Sequence, residues 1–177
     1  ALIGRLGAEH FMERGLQHFG YCGFGNEPWS CERREGFIAA LQHAGHSCDV
    51  FDVVYPGNVT PLWDSQQQAA LGEWLRRLPK PVGVMACVDM RAFQVLGAAE
   101  TAGVLVPEEV ALLGSNNDAI RCDLSYPALS SVAPNAFESG YRAAELLDSM
   151  MLGHAPGPVD LRIEPLGRLP LSIERVD

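Results

Sequence analysis

Positive charge is scarce in this sequence. Only 13 of its 177 residues are Lys or Arg, against 22 Asp and Glu, for a net charge of -9 and a pI near 4.9. A nucleic-acid-binding face needs clustered cations. The densest spots, Arg33-Arg34 and Arg76-Arg77, sit in helical patterns beside acids. The chain is therefore not expected to hold DNA on its own. Long apolar runs are lacking as well, so no segment is expected to span a bilayer and no membrane partner is expected. No basic segment leading into an apolar core stands at the start, although residue 1 is Ala and not Met. The five cysteines are odd in number and form no CxxC pair. That pattern fits reduced cytoplasmic thiols, not a disulfide scaffold or a metal site.

Catalytic motifs are missing too. There is no GxSxG elbow, no HExxH and no GxxxxGK[ST] loop. Gly23-Phe-Gly25 hints at a dinucleotide fingerprint, but the third glycine is replaced by Pro28. His43, His46 and Cys48 straddle a helix end and a strand start, and a zinc site wants a fourth ligand nearby. The other histidines, His10, His18 and His154, fall within helices or at element ends away from any shared edge. Nothing resembles a poised general base, so neither an enzyme nor a cofactor is expected.

What is present is a repeating strand–helix order. Leu6–Gly15 reads as a helix with Phe11 and Met12 inward, followed by a buried strand over Phe19–Phe24. Ser30 suits the N-cap of a helix burying Phe37, Ile38, Leu41 and Ala44. Cys48–Val54 is a strand, and Asp64 with Gln67 resembles a capping box. Leu71, Trp74, Leu75 and Leu78 form an amphipathic stripe that Pro79 and Pro81 end. Val82–Cys87 is continuously apolar, as a strand covered on both faces should be. The next helix sets Ala92, Phe93, Leu96 and Ala99 on one face and closes at Gly103. Val110–Leu113 is another strand, Ser115–Tyr126 a polar loop, and Leu129–Val132 a short extended piece. Asn135 with Glu138 caps a helix to about Met151. Val159–Ile163 and Leu169–Ile173 read as edge strands. The fold class is therefore an α/β doubly wound parallel sheet, which binds ligands at its carboxyl edge.

Four residues should converge there. Arg33 opens the helix after the first strand, Asp89 follows the third, and Asn116 follows the fourth, with Trp29 in the loop before Arg33. A guanidinium fork donates to adjacent oxygens, a carboxylate accepts from neighbouring hydroxyls, and an amide does both. An aromatic ring covers the apolar face of a sugar. Each has a plainer alternative. Arg33 pairs with a surface acid, Asp89 is an N-cap, Asn116 and Asn117 are turn residues, and Trp29 packs under its loop.

Several segments carry a resemblance. Ala8–Gly15, Arg33–Phe37, Val106–Gly114 and Leu129–Val132, with Gly140 and Ala143-Ala144, resemble the LacI/GalR-type effector domain. A narrower resemblance is to bacterial xylose operon regulators. It rests on Trp29, Glu32-Arg33, Phe37, Trp74-Leu75, Leu78-Pro79, Asp89, Arg91-Ala92 and the stretch from Leu124 to Leu147. The resemblance implies a type I periplasmic-binding-protein-like fold, of which this chain is largely one lobe. Residues 1–130 and 159–177 would form the C-terminal lobe, and residues 131–158 a crossover and helix belonging to the N-terminal lobe. It also implies a sugar between the lobes, held by Arg33 and Asp89. Asn116 stands where the family usually has Asp, and Pro134 where a polar residue is common. A pentose such as D-xylose would be the ligand. The protein would be a cytoplasmic homodimer reaching DNA through a helix-turn-helix domain not in this chain. A periplasmic sugar receptor of a transport system shares the fold and is the alternative.

Overall fold

The computed structural model describes residues 1–58, 60–154 and 163–169. Its elements run α1 (Leu2–Glu13), β1 (His18–Phe24), α2 (Pro28–His43), β2 (Asp49–Val53), α3 (Pro61–Arg77), β3 (Val82–Ala86), α4 (Asp89–Ala102), β4 (Val110–Ser115), α5 (Ala119–Leu124), β5 (Ser130–Ala133), α6 (Ala136–Met151) and β6 (Gly167–Leu169). The sheet order is β2-β1-β3-β4-β5-β6. The first five strands are parallel, and β6 pairs antiparallel with β5.

Both faces of the sheet are covered, which is why β3 reads as an unbroken apolar run. Its side chains alternate between two cores. Val82, Val84 and Ala86 join Leu71, Trp74 and Leu75 of α3 and Val95, Ala98 and Ala99 of α4. Met85 and Cys87 join Phe11 of α1 and Phe37 and Leu41 of α2 on the other face. The chain leaves β1 in one direction to reach β2 and returns past it to β3. The carboxyl ends of β1 and β3 therefore flank the point where the winding reverses, the crevice where open α/β sheets bind ligands.

Glycines set the approach of α1 to α2. A Cβ on Gly4 would lie 1.9 Å from the carbonyl oxygen of Arg33, and one on Gly36 would lie 2.0 Å from that of Ala1. Only hydrogen fits at these crossings, so α1 fixes where the first turns of α2 sit.

Several local expectations are corrected. Helix α1 starts at Leu2, four residues before Leu6. Ser30 is not the N-cap of α2; Glu27 holds that position and Pro28 opens the helix with its preset φ. Ser30 instead accepts from Phe24 N through its Oγ at 2.9 Å. Ala44 is exposed and Ile38 only half-buried. Thr60, not Asp64, caps α3, accepting from Trp63 N at 3.2 Å. Asp64 lies in the first turn and accepts from Gln94 Nε2 at 2.7 Å. Phe93 is 52% exposed, and Val95 and Ala98 take the inward places. The expected loop after Leu113 begins one strand residue later and contains α5, capped by Asp118. Asn135 does cap α6, accepting from Glu138 N at 3.3 Å. The strands expected at Val159–Ile163 and Leu169–Ile173 fall mostly outside the described residues.

Candidate functional site at the carboxyl edge

The loop between β1 and α2 is built rigidly. Tyr21 donates its hydroxyl to Ser30 O at 2.8 Å, tying the first turn of α2 to β1. Asn26 accepts from Tyr55 N at 2.7 Å and donates to Tyr55 O at 3.1 Å, closing this loop onto the end of β2. Glu27 accepts from Trp29 Nε1 at 2.8 Å, which turns the indole toward Arg33. The guanidinium carbon of Arg33 lies 5.3 Å from the centre of that ring.

Arg33 then crosses the switch point. Its Nη1 donates to Cys87 O and, at 3.0 Å, to Ser115 Oγ. Its Nη2 donates to Asn116 Oδ1 at 3.0 Å. The ends of β3 and β4 thus meet on one side chain that follows β1. Burial pulls the Arg33 pKa down from its ordinary value, and the nearby Cys87, Tyr21 and Asp89 raise it. An arginine stays cationic under such a shift.

The loop carrying Asn116 is strained. Asn116 has φ 113° and Asn117 φ 56°, a region that side chains other than glycine rarely adopt. Three successive amides hold it: Asn116 N to Val132 O at 3.1 Å, Asn117 N to Ser131 Oγ at 3.0 Å, and Asp118 N to Asp89 Oδ2 at 2.8 Å. Asp89 also accepts from Ser131 Oγ at 2.7 Å. It is 1% exposed and is the first residue of α4, not its N-cap, which is Val88. Burial pushes the Asp89 carboxyl above its ordinary value, and the bonds from Asp118 N and Ser131 partly offset this. Gly114 makes room for it, since a Cβ there would meet Asp89 Oδ1 at 2.2 Å.

A cavity of about 400 Å³ opens on this edge, lined by Phe24, Glu27, Trp29, Arg33, Tyr55, Val88, Met90 and Asn116. Three of the four expected residues, Trp29, Arg33 and Asn116, line it together. Asp89 sits behind the loop with both oxygens engaged. Sequence reasoning missed Glu27, Tyr55 and Ser115. Tyr55 lies just past β2 at the same edge, so strand-end position was a usable signal for it. Among the described residues no group of three His, Cys, Asp or Glu is arranged to hold a metal ion. No described helix is long and apolar enough to cross a membrane.

The periplasmic binding protein-like domain matches residues 8–168. The chain belongs to this family. Within the family it is a LacI/GalR-type effector domain close to xylose regulators. The xylose operon regulatory protein of Haemophilus influenzae is 30% identical over 164 residues, covering 91% of this chain and 42% of that relative. The HTH-type transcriptional regulator GntR of Pseudomonas aeruginosa is 34% identical over 155 residues, covering 85% of this chain and 43% of the relative. A solved structure of a xylose-binding transcription activator, xylR, superposes with a TM-score of 0.83 at 26% identity, covering 97% of this chain and 46% of the other. The chain thus spans less than half the length of each.

Proposed function

We propose that this chain is the sugar-sensing part of a transcriptional regulator and that the cavity at Arg33 takes a pentose such as D-xylose. The single observation that carries the reading is the Arg33 bridge to Cys87, Ser115 and Asn116 beside Trp29. A fixed donor fork, an amide and an aromatic wall are the groups a polyol ring needs. Asp89 contributes by latching the Asn116 loop. The names of the xylose regulators support the choice of sugar; the match to GntR keeps other sugars as the outcome to test against.

Residues 1–130 and 159–177 form one lobe in this reading, and residues 131–158 lead into the other. Ser130, Ser131 and Val132 of β5 pair with β4 at the junction between these two parts. No residue of α6 is buried, and Phe137, Tyr141, Leu147 and Met151 are exposed on it. Such a face belongs against the other lobe, whose remaining sequence is outside this chain. The regulator is a homodimer in this reading. The regulator is cytoplasmic and reads DNA through a helix-turn-helix domain elsewhere. Sugar bridging the lobes favours the closed state, and roughly 100-fold tighter binding to that state, about 2.7 kcal/mol, suffices for a switch.

The test is calorimetry of D-xylose on the full-length protein. Saturable binding that Arg33→Ala abolishes is the expected result. Equal binding by both proteins would remove this edge from the site.

A further inference from the structure

We propose that Ser115 is a positioning residue that decides which edge of Arg33 faces the ligand. The inference rests on the reading of Arg33 as a sugar-binding group.

Ser115 ends β4 and is fully buried. Its hydroxyl donates to Cys87 O at 2.7 Å, so its lone pairs are free to accept from Arg33 Nη1 at 3.0 Å. The same Cys87 carbonyl accepts from Nη1. Cys87 lies beyond the last paired residue of β3 and β4, Met85 with Leu113, so its oxygen is open to side chains. Ser115, Cys87 and Arg33 therefore close a three-membered ring of hydrogen bonds.

The consequence follows from counting donors. A guanidinium has five N–H groups in one plane. Nη1 is committed to Cys87 O and Ser115 Oγ, and Asn116 occupies one hydrogen on Nη2. Two donors are left, the Nε–H and the second Nη2–H. They lie side by side on one edge of the plane, the spacing that grips two neighbouring oxygens. Without Ser115 the plane would be held by one bond at each end, to Cys87 O and to Asn116 Oδ1. Ser115 adds a third anchor, the second on Nη1, and so tightens the orientation of the fork.

Ser115 has no exposed surface, so it acts through Arg33 and does not touch the sugar. A buried serine that only fills space would behave differently in three measurements on the full-length protein. Ser115→Ala is expected to weaken D-xylose binding about 10-fold, the worth of one hydrogen bond to a charged group. In the Arg33→Lys background, which has no fork to orient, the same change is expected to alter binding by less than about 2-fold. A full 10-fold loss in both backgrounds, or none in either, overturns the proposal. The third measurement needs no ligand. With ¹⁵N-labelled arginine, the Nη1 and Nη2 signals of Arg33 are expected to be separate in the parent protein and averaged in Ser115→Ala. Separate signals in both would also overturn it. Failure of the parent protein to bind D-xylose refutes the proposed sugar, while the arginine signals still decide the role of Ser115.

Discussion

Replacing Asp89 with alanine is the sharpest test of how the carboxyl edge is held. Both carboxylate oxygens accept hydrogen bonds in a place that is 1% exposed. Asp89→Ala leaves the Asp118 amide and the Ser131 hydroxyl without these acceptors. A stranded buried donor costs about 1–3 kcal/mol. The Ser131 hydroxyl can rotate, so the amide carries most of the cost. The variant also removes the cost of burying a carboxylate, which offsets part of the loss. The expected net destabilisation is about 2–3 kcal/mol, or roughly 4–12 °C in Tm for a domain of this size. Asp89→Asn keeps one oxygen acceptor and should lose about half as much. The pH dependence carries a second signature. Burial raises the Asp89 carboxyl above its ordinary 3.8 in the fold, so the folded chain holds that proton more tightly than the unfolded one. The stability from this group is complete below 3.8 and is lost as pH rises through the raised folded value. Asp89→Ala should flatten that part of the profile. Thermal melts at pH 7, with urea unfolding across the acid range, make the measurement. A variant as stable as the parent, with the same acid profile, would refute the latch.

Other perturbations separate scaffold from site. Gly4→Ala forces a Cβ to within 1.9 Å of a backbone oxygen of α2, and its overpacking should cost about 1–3 kcal/mol in urea melts and weaken D-xylose binding by shifting Arg33. Unchanged stability would mean α1 does not set α2. Asn116→Gly should relieve the strained φ of 113° and raise stability by about 1 kcal/mol while lowering sugar affinity, since the amide that pairs with Arg33 is gone. Loss of both would show that the amide is structural.

Much of the scaffold was legible because burial has a period. The stripe Leu71, Trp74, Leu75 and Leu78 lies buried in one core, and the unbroken run of β3 divides between two. Gly103 closes α4 in the left-handed conformation that its position suggested. Helix starts were less legible. Ser30, Asp64 and Asp89 all look like caps in isolation. Each side chain instead bonds outside its own helix, Ser30 back to Phe24 and the two aspartates to distant segments, because those donors lie closer in the fold than the helix amides. Phe93 fitted the apolar pattern of α4 but faces outward, since pattern alone does not say which arc of a helix meets the sheet.

Alternating apolar and polar stretches, with glycine and proline between them, were enough by themselves to dictate a parallel α/β sheet and to bring Trp29, Arg33, Asp89 and Asn116 to one edge. Element type and strand-end position depend on near neighbours, which the order of residues records. Tertiary structure alone decided what each of these groups does there. It turned Asp89 inward as a latch, joined Arg33 to Cys87, Ser115 and Asn116 across as many as 83 positions of chain, and added Glu27 and Tyr55 to the wall. Hydrogen-bond partners are chosen by distance and direction in space, and those are properties of the packed sheet and not of the local sequence.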